Sequence, residues 1–220
     1  MYKTILFDLD GTLLNTLDDL ADSTNAALAA GGYPTRSLEE VRSFLGNGIG
    51  NLIRLAMPEG STPAETEATL ERFRRHYALH NRCKTCPYPG ILPMLENLSR
   101  AGVPLCVLSN KNDPNVQALC RDFFPGLITL AAGEKPGVAR KPDPAGVWWL
   151  CRQLDVQPSE VILVGDSEVD AETARNAGVD FLAVGWGFRT ENQLLAAGAD
   201  KVWQTVADVE KHLLQSCIPG

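Results

Sequence analysis

A chain of 220 residues can bury one sizeable core, or a core together with a small accessory domain. Its hydrophobic content of 45% is ordinary for a globular protein, and no segment has the length of a membrane span. The net charge of −7 argues against a nucleic-acid partner, which requires a basic surface. No charged and then apolar leader precedes the first strand-like run, so we expect a cytoplasmic protein.

The chain opens with a β-branched and apolar run at residues 4–7, which predicts a buried central strand. Apolar side chains then recur at helical spacing over residues 15–30, and Gly31-Gly32 ends that helix. A capping-box pattern at Ser37 and a Thr62-Pro63 pair predict further helices as far as residue 80. The segment 15–86 therefore contains helices and no clear strand.

Helices alternate with strands from residue 91 onward. We predict helices at 91–101, 113–122, 144–154, 168–177, 192–197 and 206–214, and strands at 103–108, 127–130, 161–164, 181–184 and 201–203. Such alternation implies right-handed crossovers and a parallel sheet. The predicted fold class is therefore α/β, with a Rossmann-like parallel sheet core, helices on both faces and an inserted α-helical cap domain.

The position of the helical block sets the predicted domains. Residues 1–14 and 88–220 form the α/β core domain, and residues 15–87 form the cap domain. An insertion after the first strand emerges above the end of that strand, where it can close over a substrate and exclude water.

Two carboxylates, Asp8 and Asp10, follow the first strand and precede Gly11-Thr12. Ligands of open α/β sheets bind at the carboxyl ends of the strands. Both carboxylates can approach one point if the strand ends there, and Gly11 permits a turn and the close approach of backbone N–H groups. Two carboxylates held together repel unless a proton or cation lies between them, and Mg²⁺ suits oxygen ligands beside a phosphate.

Later strands also end in polar residues. Ser109 and Asn110 can donate to a phosphoryl oxygen, although a polar turn or a helix N-cap is the alternative for Ser109. Lys141 is held by the flanking prolines of Arg140-Lys141-Pro142-Asp143-Pro144, and its ammonium suits an aspartate and a phosphate together. Arg140 is an alternative for that role.

The strand at 161–164 leads to Asp166, and Asp170 follows four residues later. A turn at the start of the next helix can bring both carboxylates to one site. We interpret the intervening Glu168 as a charge that favours the helix N-terminus.

These segments, in this order, resemble the four motifs of the haloacid dehalogenase superfamily. Asp8-Leu9-Asp10-Gly11-Thr12 is similar to its D-x-D-G-T motif, in the form typical of phosphatases and phosphomutases. Ser109 corresponds to the second motif, the Lys-Pro-Asp-Pro sequence at Lys141 to the third, and Gly165-Asp166 with Asp170 to G-D-x-x-x-D.

The resemblance implies a role for each residue. Asp8 is the nucleophile and becomes an aspartyl phosphate, and Asp10 is the general acid and base. Ser109 and Lys141 bind the transferred phosphoryl group, with Gly11, Thr12 and Asn110 beside it. The cofactor is Mg²⁺, held by Asp8, Asp10 through its backbone carbonyl, Asp166 and Asp170.

The cap should set the substrate. Gly46-Asn47-Gly48-Ile49-Gly50 and Arg54 resemble the cap loop of phosphoglycolate phosphatases, in which Gly48 can offer backbone N–H groups and Arg54 can pair with a carboxylate. A helix connection and a solvated arginine are the alternatives. We expect a phosphatase acting on a small phosphorylated metabolite, 2-phosphoglycolate, as a monomer or homodimer with no nucleic-acid or membrane partner.

Other functions stay open at this point. A phosphomutase of the β-phosphoglucomutase kind, a pyrophosphatase and a nucleotidase would share Asp8 and Asp10. A haloacid dehalogenase needs no second aspartate, and a receiver-like signalling module would lack the cap. Cys83 and Cys86 form a C-x-x-C pair that we expect to be two free cysteines, because no second such pair exists.

Overall fold

The computed structural model describes residues 1–136 and 139–217. The chain divides into two compact units, one formed by Met1–Leu14 with Pro87–Gly220 and the other by Asn15–Cys86. The polypeptide passes between the units twice, and both crossings lie within a small two-stranded sheet.

Eight strands are present in the described residues. They are β1 (Thr4–Phe7), β2 (Leu14–Asn15), β3 (Cys86–Pro87), β4 (Leu105–Asn112), β5 (Leu130–Glu134), β6 (Val161–Gly165), β7 (Asp180–Val184) and β8 (Val202–Trp203). The main sheet has the order β5-β4-β1-β6-β7-β8, and its neighbouring strands run parallel. The strand order reverses at β1, so the crevice for a ligand lies at the carboxyl end of this strand.

Six α-helices in the described part of the first unit cover both faces of this sheet. They are α5 (Ile91–Arg100), α6 (Asp113–Phe123), α7 (Ala145–Leu154), α8 (Glu168–Ala177), α9 (Glu191–Ala196) and α10 (Val206–Cys217), following the four helices of the second unit. Because side chains alternate along a strand, β1 places Ile5 and Phe7 in a core cluster with α5, α6 and α10. Leu6 belongs to the opposite cluster with α7 and α8. The predicted α/β class with helices on both faces is confirmed.

The second unit consists of α1 (Leu17–Ala30), α2 (Leu38–Phe44), α3 (Gly48–Ala56) and α4 (Pro63–His80). Capping boxes at Ser37 and Thr62 begin α2 and α4, and α1 packs against α4. The buried carboxylate of Asp19 accepts hydrogen bonds from the backbone amides of Lys84 and Thr85, which fixes the segment after α4. No helix in the described part of the chain combines the length and apolar character needed to cross a membrane.

Two strands of the main sheet differ from the sequence prediction by three or more residues at one or both ends, and the short β2 and β3 were not predicted. β4 runs on to Asn112 instead of ending at Leu108, and its register against β5 shifts between these two residues. β5 begins only at Leu130, because Leu127 and Ile128 pack against the core as loop residues. The polar residues that follow Leu108 therefore lie within an irregular strand and not in a turn.

Candidate active site

Three carboxylates meet at the carboxyl end of the central strands. Asp8 follows β1, Asp166 follows β6, and Asp170 lies in the first turn of α8. One oxygen of each lies within 4.8 Å of the other two, and all three side chains are buried. The sheet topology thus brings together residues that are up to 162 positions apart in the chain, from Asp8 to Asp170.

The Lys141 ammonium lies against this cluster. Its Nζ atom is 2.9 Å from Oδ1 of Asp8 and 2.6 Å from Oδ1 of Asp170. Its side chain is only 3% exposed, so the charge is held by these two contacts and not by water. Arg140, the alternative considered from the sequence, instead pairs with Glu134 on the surface at 2.7 Å.

Burial dominates the electrostatics of the cluster. Burial raises the pKa of Asp8 well above its ordinary value; Lys141 opposes this, and Asp170 and Asp166 add to it. Burial and the charge of Asp170 raise the pKa of Asp166 to about 7. Burial would lower the pKa of Lys141, but Asp170 and Asp8 outweigh it and raise the value.

The donor set suits a small hard cation. Three ionised carboxylates would exceed the single positive charge of Lys141 by two charges, and a bound cation would offset that excess. The atoms that converge are carboxylate oxygens, the ligand type of Mg²⁺ and Ca²⁺. The three carboxylates therefore fit a divalent cation.

The turn after β1 packs directly onto Asp166. Gly11 has a φ of +91°, and a Cβ atom there would lie 2.4 Å from Oδ2 of Asp166. Thr12 is fully buried, and its hydroxyl donates to Oδ1 of Asp166 at 3.0 Å. Gly11 is thus required for close approach, while the Thr12 side chain contacts a carboxylate of the cluster.

The loop after β7 contacts Asp166 from the other side. The Phe188 amide donates to Oδ2 of Asp166 at 2.7 Å, and a Cβ atom at Gly187 would lie 2.3 Å from that oxygen. Arg189, at the end of this loop, makes a bidentate ion pair with Glu168. Glu168 was predicted to act only as a charge at the start of α8; the residue does lie there, and it also binds Arg189.

A capping box orients Asp170. Oγ of Ser167 donates to Oδ2 of Asp170 at 2.6 Å and accepts from the Asp170 amide. The other oxygen of Asp170 binds Lys141, so both carboxylate oxygens have fixed partners. In this structure Asp170 acts on the cluster by holding Lys141.

Asn110 and Ser109 lie in the irregular part of β4. The side chain of Asn110 bonds both backbone groups of Lys141, with its Nδ2 donating to the carbonyl at 2.9 Å and its Oδ1 accepting from the amide at 2.7 Å. Ser109 is buried, and its Oγ accepts a hydrogen bond from the Lys111 amide at 3.2 Å. Asn110 therefore fixes the backbone from which the lysine side chain extends.

Asp10 lies two residues after Asp8 and has a partner of its own. The Lys111 ammonium contacts both of its carboxylate oxygens, at 2.8 and 2.9 Å, and the Lys111 side chain is 4% exposed. Sequence reasoning did not select Lys111 or Arg189. Lys111 could have been selected because it directly follows Ser109-Asn110. No sequence pattern pointed to Arg189.

Gly48 and Arg54 belong to the second unit. Gly48 is the first residue of α3 and has a φ of +77°, and Asn47 before it makes no side-chain capping bond. Arg54 is exposed and donates to Oδ1 of Asn51 at 2.8 Å. Within that unit both residues lie on α3. Cys83 and Cys86 are exposed free thiols, as expected.

Comparison with known proteins gives one consistent family. The model of the haloacid dehalogenase-like hydrolases matches residues 5–184. A phosphoglycolate phosphatase of Mannheimia succiniciproducens is 33% identical over 219 residues, which cover 96% of this chain and 97% of the relative.

Solved structures agree with this result. A protein from Lactobacillus delbrueckii subsp. bulgaricus, whose assignment as a phosphoglycolate phosphatase rests on prediction, has a TM-score of 0.92 at 35% identity, covering 96% of this chain and 98% of that chain. A similarly assigned protein from Haemophilus somnus has a TM-score of 0.89 at 30% identity, with coverages of 96% and 97%. The resemblance inferred from the four motifs is confirmed: the chain belongs to the haloacid dehalogenase-like hydrolase family and is a phosphatase.

Proposed function

We propose that this phosphatase hydrolyses 2-phosphoglycolate with Mg²⁺ as cofactor, through an aspartyl phosphate formed on Asp8. The mechanism is supported by one observation. The buried carboxylates of Asp8, Asp166 and Asp170 lie close together, and the Lys141 ammonium contacts two of them. The choice of substrate rests on the relatives. The Mannheimia succiniciproducens enzyme, which matches this chain over 97% of its own length, is named a phosphoglycolate phosphatase.

The contacts of Asp8 support its role as nucleophile. Oδ1 accepts from the Leu9 amide at 2.7 Å and contacts Lys141, which fixes the orientation of the carboxylate. Oδ2 accepts no hydrogen bond from the residues that the structure describes. A carboxylate with one oxygen anchored and the other available is suited to attack phosphorus in line.

The first step forms a bond between Asp8 and phosphorus as the bond from phosphorus to the glycolate oxygen breaks. Asp10 gives its proton to that leaving oxygen. In the second step Asp10 removes a proton from a water molecule, whose oxygen attacks phosphorus and releases Asp8 and inorganic phosphate. Asp10 begins and ends the cycle in the same protonation state.

Other residues stabilise charge. The buried ammonium of Lys141, positioned by Asp170 and Asn110, lies beside Asp8 and would contact the phosphoryl oxygens together with Ser109. Mg²⁺ held by Asp8, Asp166 and the Asp10 carbonyl would neutralise negative charge on the transferred group.

The unit Asn15–Cys86 is the proposed cap. Its α3 begins at Gly48, and backbone N–H groups at a helix N-terminus bind anions. Arg54, on the same helix, is the proposed partner for the carboxylate of the substrate. We place the enzyme in the cytoplasm, where its partner is a small phosphorylated metabolite.

Phosphate release tests the proposal. The panel comprises 2-phosphoglycolate, β-glucose 1-phosphate, pyrophosphate, a nucleoside monophosphate and p-nitrophenyl phosphate, each with Mg²⁺ and with EDTA. We expect Mg²⁺-dependent release that is strongest on 2-phosphoglycolate and lost in Asp8→Asn. Asp155→Asn, an exposed change at the end of α7, is the matched control and should retain activity.

Two results would contradict the proposal in different ways. Faster turnover of another panel member would keep the mechanism and reject the substrate. Full activity in EDTA, or in Asp8→Asn, would reject the mechanism.

A further inference from the structure

The ion pair between Glu168 and Arg189 has no role in the chemistry described above. Nε of Arg189 donates to Oε2 of Glu168 at 2.7 Å, and Nη2 donates to Oε1 at 3.0 Å. Arg189 is buried, whereas the Glu168 side chain is 45% exposed. A bidentate contact of this kind fixes direction as well as distance, so it restrains the end of the loop at Arg189.

The two partners flank a contact to the carboxylate cluster. Glu168 lies two residues after Asp166, and Arg189 lies one residue after Phe188, whose amide donates to Oδ2 of Asp166. The chain from Asp166 to Glu168, the ion pair, and the chain from Arg189 to Phe188 thus form a closed ring. Breaking the ion pair would remove one restraint on the loop whose Phe188 amide binds Asp166.

Asp166 is sensitive to the position of this loop. A Cβ atom at Gly187 would lie 2.3 Å from both Cβ and Oδ2 of Asp166, so the loop backbone is in direct contact with the side chain. The same loop donates from Nε1 of Trp186 to the Thr12 carbonyl at 3.0 Å, and Thr12 in turn donates to Oδ1 of Asp166. A displaced loop would therefore disturb the partners of both Asp166 oxygens.

We propose that the Glu168–Arg189 ion pair is a positioning device that holds Asp166 in the orientation required for cation binding. The inference rests on the proposed function, in which Asp166 is a ligand of Mg²⁺. Hydrogen-bond partners that orient metal ligands typically change metal affinity by about 10- to 100-fold when they are lost. An ion pair serving only stability would leave the affinity unchanged.

Isothermal titration of the full chain with Mg²⁺ measures this role directly. Glu168→Gln and Arg189→Gln are expected to weaken binding by about 10-fold, the lower end of that range, because the pair acts on Asp166 through the Phe188 loop. Arg189→Lys keeps the charge but loses the bidentate contact, and we expect an intermediate value. Glu160→Gln is the matched control, because Glu160 pairs with Lys3 at the opposite end of β6 and should leave the affinity unchanged.

A second readout separates positioning from chemistry. At saturating Mg²⁺ the kcat of Glu168→Gln should return to within about threefold of the wild-type value, because the reacting groups are intact. Because Glu168 is half-exposed, Glu168→Gln is expected to fold. This variant therefore provides the test if Arg189→Gln does not fold.

The outcomes are distinct. Folded Glu168→Gln with unchanged Mg²⁺ affinity would overturn the positioning role. Asp166→Asn that binds Mg²⁺ as tightly as the wild type would instead overturn the proposed metal site, since Asp166 would then not be a ligand.

Discussion

At the scale of single residues, the structure adds Lys111 to the residues predicted for the candidate site. Its buried ammonium contacts both oxygens of Asp10 and so fixes the carboxylate proposed as general acid and base. We expect Lys111→Met to lower kcat on 2-phosphoglycolate by about 10- to 100-fold, which is less than the roughly 100- to 10,000-fold that acid–base catalysis contributes, because Asp10 itself remains. Steady-state kinetics checks this.

Lys135→Met is the matched control for that change. Lys135 pairs with Asp113 at 3.3 Å and is 32% exposed, so its loss should change kcat little. A Lys111→Met enzyme with a kcat within threefold of the wild type would show that Asp10 needs no partner in β4.

The residues of the cluster differ in how far the sequence could predict them. Asp8 and Asp166 follow from strand ends, because parallel strands end at the same edge of a sheet, whereas Lys141 was predicted from its flanking prolines and the motif they form. Their meeting in the structure agrees with that reasoning. Lys111 depends on the register shift in β4 and Arg189 on the path of a loop, and neither is encoded in periodicity.

At the scale of elements, the start of α8 combines stability with the site. Ser167→Ala removes the capping hydrogen bonds to Asp170, and we expect a loss of about 1 kcal/mol in the free energy of unfolding. Asp170 would also hold Lys141 less firmly, so kcat should fall. Urea unfolding and steady-state kinetics measure the two effects.

Thr205→Ala separates the effect on stability from the effect on kcat. Thr205 and Asp208 make the same pair of contacts at the start of α10, with an oxygen-to-oxygen distance of 2.6 Å. This control should lose similar stability and keep its kcat. Equal kcat values in the two variants would mean that the box at α8 does not act on the site.

The capping box of α4 gives a pH-dependent prediction. Hydrogen bonds from Thr62 lower the pKa of Glu65 below its ordinary value. A lowered carboxyl pKa contributes stability that is complete above the unfolded value and is lost as the pH falls through the folded value. Glu65→Gln keeps the hydrogen bonds without titrating, so the stability difference should shift against the wild type as the pH falls below the ordinary carboxyl pKa of 4.5.

Urea unfolding followed by circular dichroism at several pH values measures this difference. Glu59→Gln, an exposed change in the loop before α4, should show a smaller pH dependence. A Glu65→Gln curve parallel to the wild-type curve across this range would contradict the prediction.

Element boundaries were predicted best where a capping pattern marks them. α8 spans the predicted residues, and α4 begins one residue after the predicted start, at Pro63. β5 was placed three residues too early, because apolar character marks burial and cannot distinguish a buried loop from a strand.

At the scale of the whole molecule, the carboxylate cluster couples the cation to stability. A ligand that binds only the folded state stabilises it by mass action. We therefore expect Mg²⁺ to raise the Tm and EDTA to reverse the rise, measured by differential scanning calorimetry. An unchanged Tm at millimolar Mg²⁺ would contradict cation binding.

Asp166→Asn provides the complementary test. The asparagine oxygen can still accept from the Phe188 amide, and its nitrogen can donate to the Thr12 hydroxyl. Removing one buried negative charge should raise the Tm in EDTA and abolish the rise with Mg²⁺. A lower Tm in EDTA would show that the hydrogen bonds of the carboxylate outweigh the repulsion.

The order of strands in the sheet also bears on how the chain is made in the cell. β1 leaves the ribosome first, yet its register partners begin with Leu105 on one side and Val161 on the other. Synthesis proceeds at about 5–20 residues per second, so β6 emerges roughly 10 to 30 s after β1. During that time its apolar edges are available to chaperones, so nascent-chain crosslinking should capture Thr4–Phe7 until β6 has emerged.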